Sequence, residues 1–254
     1  MKSFILATTF VMAAAGSAFA TYDSVKINER IFNDRPDSNL VVTNNYPASI
    51  RFQEDGFGPG GFANRHTAYL SEDGGANNAD FDYGDAFDIS VTVNHLLSTN
   101  VAVEAGIHSD LFGLGFFGQL PNGEVVSFGS VLPFFSFGVQ PFGSSIDLRI
   151  IHDPGDGDGV NPLPGGGTPS YITYGYNLGS GWQYSPQIPM TGLEGGIPSA
   201  FPFFIGFGVQ HNGATETAAF ADTMFTNIRV NKVPAPGAVA LVGLAGLVGI
   251  RRRR

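Results

Sequence analysis

Through the middle of the chain, apolar and polar residues alternate in short runs broken by Gly, Pro, Asn and Asp. In Phe87-Asp88-Ile89-Ser90-Val91-Thr92-Val93, an extended backbone puts Phe87, Ile89, Val91 and Val93 on one face, the pattern of a half-buried β-strand. Residues 100–107 read the same way, as do Ser145-Ile146-Asp147-Leu148-Arg149-Ile150 and Tyr171-Ile172-Thr173-Tyr174-Gly175-Tyr176. Pro121-Asn122-Gly123 stands between a Phe- and Gly-rich stretch, 111–120, and Glu124-Val125-Val126-Ser127-Phe128. Asn and Gly both accept positive φ, so this spacing predicts a hairpin. Pro133-Phe134-Phe135-Ser136-Phe137-Gly138-Val139-Gln140 returns, with one inserted residue, as 202–210, which predicts two equivalent core strands that neighbour each other in one sheet. No stretch carries a useful 3.6-residue apolar stripe. The pattern predicts an all-β fold, an antiparallel β-sandwich.

The ends follow other rules. Lys2, the apolar residues 4–15 and the small-x-small sequence Ala18-Phe19-Ala20 predict a signal peptide over 1–20, cleaved before Thr21, and hence an exported protein. At the other end, Val233-Pro234-Ala235-Pro236 precedes an apolar run, 237–250, and then Arg251, Arg252, Arg253 and Arg254. As a helix, that run spans roughly 21 Å, short of the roughly 30 Å hydrocarbon core. The four arginines resist translocation, so they stay cytoplasmic and leave 21–236 outside, with at least transient anchoring in the inner membrane. Three segments are predicted: a signal peptide (1–20), a β-sandwich domain (21–232) and a tail (233–254) with a short transmembrane helix.

This tail resembles the PEP-CTERM sorting signal, a Val-Pro-Glu-Pro-like motif followed by a short transmembrane helix and a terminal Arg cluster; Ala235 stands at the family's Glu. The resemblance implies recognition by an exosortase, a membrane sorting enzyme, with tail removal and delivery to the cell surface or its exopolysaccharide layer. Residues 205–230, ending in Asn227-Ile228-Arg229-Val230, resemble the last hairpin of concanavalin-like and laminin-G-like jelly rolls. That likeness implies a jelly-roll sandwich and carries over no ligand or catalytic residue.

Composition narrows the chemistry. With 254 residues, 43% hydrophobic, the chain is too apolar for disorder. Residues 21–232 hold all 22 acidic side chains but only 8 of the 13 basic ones, which speaks against nucleic-acid binding. No cysteine is present, so disulfides, thiolate metal sites and cysteine nucleophiles are excluded.

Candidate sites are sparse. Asp153, Asp156 and Asp158 fall in a Gly-rich loop, an oxygen-rich spacing that could suit calcium, though it reads first as a solvated turn after the strand ending at His152. Asp80, Asp82, Asp85 and Asp88 surround aromatic residues, and read as a charged loop feeding a strand or as a cation or sugar contact. Glu104 falls on an apparent strand, whereas Glu54, Glu124, Glu194 and Glu216 lie near Gly or Pro and read as loop positions. The histidines at 66, 95, 108, 152 and 211 have no local metal-ligand spacing and read as surface or loop residues. Ser180 lacks the spacing of a nucleophile elbow. Among clustered aromatics, Tyr174, Tyr176, Trp182 and Tyr184 are candidate carbohydrate contacts, because flat rings pack against sugar C–H edges. The expectation is an exported cell-surface or exopolysaccharide-associated protein with a non-catalytic binding or structural role. It would have no catalytic residue and no cofactor beyond a candidate calcium, and its partners would be an exosortase and extracellular polysaccharide. A polysaccharide-active enzyme on a jelly-roll scaffold is the competing reading.

Overall fold

A computed structural model describes residues 22–57, 63–81, 84–110, 114–129, 132–141, 143–154, 170–190, 203–212 and 219–233. Ala18, Ala20 and Thr21 of the predicted signal cleavage lie outside these, as do Pro234, Ala235, Pro236 and Arg251 to Arg254 of the tail; Val233 closes the last strand. Among the described residues no helix is long and apolar enough to cross a membrane.

Each alternating segment is extended. In chain order the strands are β1 (Ser24–Asn33), β2 (Asn39–Asn45), β3 (Ser49–Phe57), β4 (Ala63–Ser71), β5 (Ala86–Thr99), β6 (Ala102–Asp110), β7 (Leu114–Gln119) and β8 (Glu124–Gly129). There follow β9 (Phe135–Val139), β10 (Ser145–Asp153), β11 (Tyr171–Asn177), β12 (Gln183–Tyr184), β13 (Ile188–Pro189), β14 (Phe204–Asn212) and β15 (Ala219–Val233). They form two antiparallel sheets, one ordered β1-β4-β14-β6-β7-β8-β9 and the other β12-β11-β10-β5-β15-β3-β2, with β13 added beside β11. The architecture is an antiparallel β-sandwich of jelly-roll type, as the alternation required.

The core lies between the sheets. Along β5, Phe87, Ile89, Val91 and Val93 are all buried, matching the phase read from the sequence. Each buried large apolar side chain contributes roughly 1.5 to 3 kcal/mol. Rings from opposite sheets fix how the layers face: Phe207 of β14 sits 6.0 Å from Phe225 of β15, which within its own sheet meets Phe52 of β3 edge-on at 6.2 Å. Farther along, Phe117 of β7 packs on Tyr174 of β11 and Phe137 of β9 on Tyr176, both at 4.8 Å.

The hairpin at Pro121-Asn122-Gly123 forms. Gly123 adopts φ 91°, and its N–H donates to the Leu120 carbonyl at 2.9 Å. Two long-range expectations are corrected. The Phe-rich strands β9 and β14 share the seven-stranded sheet but are not neighbours: β6, β7 and β8 lie between them, because β14 is hydrogen-bonded along both edges by β4 and β6. Nor is 205–230 a hairpin. Strand β14 belongs to the seven-stranded sheet and β15 to the other, so the chain crosses the sandwich between them, and both strands end up central rather than at an edge.

Phe225 joins the two layers with no exposed surface. Phe225→Ala is expected to lower unfolding stability by about 3 to 5 kcal/mol in urea titration, through lost burial and the cavity left behind.

Candidate functional site

Strand phase locates the first cluster. In β3, Ile50 and Phe52 face the core, so Glu54, two residues on, does too; in β14, Ile205, Phe207 and Val209 put His211 on the inward side. Asn64 and His66 of β4 share the inward face with Ala68 and Leu70. Glu54, His66 and His211 therefore converge between the sheets with no solvent exposure, correcting the reading of Glu54 as a loop carboxylate and of these histidines as surface residues.

Around Glu54, the hydrogen bonds are dense. Its Oε2 accepts from His66 Nε2 at 2.8 Å and from His211 Nδ1 at 2.6 Å. Its Oε1 accepts from Ser38 Oγ at 2.5 Å and Asn64 Nδ2 at 2.7 Å, with Arg30 Nη1 at 3.4 Å. Arg35 Nη1 donates to the His211 carbonyl at 2.9 Å. Burial by itself would raise the Glu54 carboxyl; the bonds from His211 and His66 outweigh it and hold the group well below the usual carboxylate range.

One carboxylate and two imidazoles placed this way could hold a divalent metal, yet the proton position on His66 does not fit one. The Arg30 backbone N–H donates to His66 Nδ1 at 3.0 Å, which makes Nδ1 the acceptor and leaves the proton on Nε2, the atom facing Glu54. A metal-binding histidine has the reverse arrangement, its outer nitrogen donating and its inner one deprotonated. The Arg30 guanidinium already serves as counter-charge. The three side chains form a buried hydrogen-bonded network centred on the Glu54 carboxylate.

His108 and His152 are buried as well, and so also depart from the surface reading, while His95 is half-buried. His108 of β6 has its Nδ1 3.4 Å from Thr67 Oγ1, on the outer side of the seven-stranded sheet, where Arg65, Thr67, Tyr69 and Phe116 are likewise buried. Burial pushes His108 down to about 3 and His95 down to about 4; it also lowers His152 and His211, despite a backbone partner at Asp85 for the former and Glu54 for the latter. Burial raises Glu104 above its ordinary value, against a bond from Asn212 Nδ2 at 2.6 Å.

The second cluster lies on the open face of the eight-stranded sheet. Arg229, Ser90, Arg149, Gly175 and Tyr184 are successive cross-strand partners, a row over β15, β5, β10, β11 and β12. Trp182 and Tyr184 stack with ring centroids 6.0 Å apart and planes within 19°, and they lie on Gly175, where a Cβ would come 2.7 Å from Tyr184 Cε1. Glycine leaves room there for the rings to lie flat. The Arg149 guanidinium sits 6.0 Å from the Trp182 ring, bonds Asp88 through Nε at 2.8 Å and Nη2 at 2.6 Å, and reaches Tyr184 Oη at 2.9 Å. Asn177 holds the intervening loop by accepting from the Gly179 and Gly181 N–H groups at 2.8 and 2.9 Å.

Beside this platform runs a trough of about 330 Å³, lined by Ser90, Thr92, Asp147, Trp182, Asn227 and Arg229. Asp147 accepts from Thr92 Oγ1 at 2.6 Å and Asn177 Nδ2 at 3.1 Å. The register of β15 slips between Thr226 and Arg229, and Asn227 takes φ 52°, a β-bulge that brings its Nδ2 to Thr92 Oγ1 at 3.2 Å.

The predicted aromatic candidates thus divide. Tyr174 is fully buried, its hydroxyl donating to the Pro133 carbonyl at 3.0 Å, and Tyr176 packs against Phe137; even strand positions of β11 face the core, so neither meets a ligand on the open face. Trp182 and Tyr184 reach that face. Of the acidic groups, Asp85 pairs with Lys232 at 3.0 Å and Asp88 with Arg149, which makes them parts of ion pairs; Asp80 is exposed, and Asp82 lies outside the described residues. For the calcium candidate, Asp153 ends β10 while Asp156 and Asp158 lie outside the described residues.

No protein-family model and no curated protein sequence matches the chain. Among solved structures, it is similar to a functionally unknown protein from Saccharomyces cerevisiae, at 9% identity and TM-score 0.46, covering 82% of this chain and 96% of that one. It is similar to an alginate lyase from Alteromonas sp. 272, at 8% identity and TM-score 0.42, covering 82% and 94%. The carbohydrate recognition domain of Emp46p aligns at 12% identity and TM-score 0.37, covering 77% and 86%.

Two outcomes follow from the buried groups. Because His108, His152 and His211 bind protons more readily unfolded than folded, stability is full above about pH 6.5 and falls as pH drops below it. His108, held down to about 3, contributes a loss of about 2 kcal/mol between pH 7 and pH 5, measurable by denaturant titration, and His108→Gln removes that share. Adding zinc or a chelator is expected to leave the thermal midpoint unchanged, since a ligand binding only the folded state would raise it.

Proposed function

We propose that this chain is an exported, non-catalytic protein of the cell surface or exopolysaccharide layer, which holds glycan on the open face of its eight-stranded sheet. The observation that carries the reading is the Trp182–Tyr184 platform: two stacked rings seated on a side-chain-free glycine, beside a trough lined with hydroxyl, amide and guanidinium groups. Apolar sugar faces pack on such rings while their hydroxyls find hydrogen bonds alongside.

A non-catalytic role is supported by how the nearby carboxylates are engaged. Both Asp88 oxygens accept from Arg149, and both Asp147 oxygens from Thr92 and Asn177. Glycoside hydrolysis needs one carboxyl group free to donate a proton and a second free to attack or to activate water. Export and delivery rest on the sequence of the two ends, with an exosortase acting on residues 233–254 and the membrane helix as a stage before release.

In the native host, intact-mass measurement and membrane fractionation are expected to find the protein without its tail and outside the membrane, while a chain truncated after residue 232 misses the surface layer; an intact tail in the membrane fraction sinks the sorting part of the reading. Tyr184→Ala is expected to weaken binding to isolated host exopolysaccharide by about tenfold, the equivalent of about 1.4 kcal/mol, as read by co-sedimentation.

A further inference from the structure

We propose that the trough between Trp182 and Arg229 selects neutral, hydroxyl-rich glycans and rejects polyanionic ones. This rests on the glycan-holding reading above and adds the chemical class of the ligand.

The first argument is charge. Within and beside the trough stand two guanidinium groups, Arg149 and Arg229, and two carboxylates, Asp88 and Asp147. Arg149 is committed to Asp88 by two parallel bonds, so it offers little to an incoming anion. Arg229 makes no ion pair or hydrogen bond among the described residues, but the same hollow contains Asp147, whose negative charge offsets it. The site as a whole has no excess of positive charge. The domain around it is strongly acidic, with all 22 acidic side chains of the sequence and 8 of its 13 basic ones, so a polyanion approaches against the overall field.

The second argument is the hydrogen-bond inventory. Ser90 Oγ both donates and accepts, Asn227 Oδ1 accepts while its Nδ2 is bonded to Thr92, and the Arg229 guanidinium donates. Sugar hydroxyls, which do both, match a mixed set. A carboxylate or sulfate accepts only: it would satisfy Arg229, leave the Asn227 oxygen without a donor and bring its own charge toward Asp147. On this open face the mixed donor–acceptor set and the like charge of Asp147 both favour a neutral hydroxyl-bearing ligand over an anion.

Length is the third. From Arg229 to Gly175 the row crosses three strand intervals, about 14 Å, longer than one pyranose ring is wide. The ligand that fills it is an oligosaccharide segment of a chain, with one ring stacked on Trp182 and the hydroxyls of the next over Ser90 and Asn227.

The test is affinity electrophoresis of the full-length chain in gels containing dextran, galactomannan or xyloglucan as neutral probes, and alginate or polygalacturonate as anionic ones. It is run at about 0.01 M and about 0.15 M salt, conditions that differ several-fold in screening length. The expected result is retardation by at least one neutral probe and by neither anionic one, with affinity changing less than about twofold between the salts. Trp182→Ala and Ser90→Trp, which removes the stacking ring and fills the floor respectively, each weaken binding about tenfold or more, while Arg229→Gln, which keeps donors but drops the charge, weakens it less than about threefold. Tighter binding of an anionic probe, falling with salt and lost in Arg229→Gln, overturns the neutral-glycan assignment and leaves the glycan-holding reading in place. Retardation by no probe of either class, or binding unchanged in both Trp182→Ala and Ser90→Trp, overturns the glycan-holding reading itself.

Discussion

The burial of one carboxylate, Glu54, governs how one end of this sandwich is built. An ion with no solvent contact costs several kcal/mol unless surrounding groups replace its hydration, and here they come from three strands and a turn. Glu54 belongs to the eight-stranded sheet, whereas His66, His211 and Arg30 belong to the seven-stranded one, so the network ties the two layers where apolar packing gives out. Its demands reach the backbone. The register of β1 slips between Asn28 and Phe32, and Arg30 takes φ 53°, a conformation that costs energy for a residue with a side chain. That distortion turns the Arg30 N–H toward His66 and its guanidinium toward Ser38 and Glu54.

The same device serves the opposite purpose on the other face. Asn227 in β15 also adopts a left-handed backbone at a bulge, but its side chain points outward, over the trough. One bulge thus completes an internal network and the other shapes a surface. This parallel explains why polar residues on the two sides differ in character: inside, every oxygen of Glu54 is bonded, as burial requires, whereas outside Ser90 and Arg229 are left with capacity that water or a ligand can use. The aromatic platform follows the same division. Tyr174 and Tyr176, at alternate positions of β11, go to the core, where they hold the sheets together, while the rings after the Asn177-capped loop fold back onto the open face.

Much of the fold was legible in the sequence because alternation is a local property with a period of two. Phe87, Ile89, Val91 and Val93 declared their buried face, and the Asn-Gly pair declared its turn, without reference to anything distant. Glu54 and His211 were legible in principle by the same rule, since each continues an inward series, Ile50-Phe52-Glu54 and Phe207-Val209-His211; nearness to glycine hid the first, and the absence of a short-range ligand spacing hid the second. The carbohydrate candidates show the limit of composition: four clustered aromatics share one chemistry, but strand phase buries Tyr174 and Tyr176 and leaves Trp182 and Tyr184 on the surface.

By itself, then, the sequence determined that the chain forms alternating strands bounded by tight turns, that its middle is acidic and cysteine-free, and which faces of its longer strands are apolar. The tertiary structure alone decided strand order, the separation of β9 from β14, the crossing from β14 to β15, and the meeting of Glu54 with His211 across 157 positions of chain. The reason is physical: face and turn follow from neighbours within a few residues, whereas partners across a sandwich are chosen by which registers close the core, pair every backbone group and leave no buried charge without a counterpart.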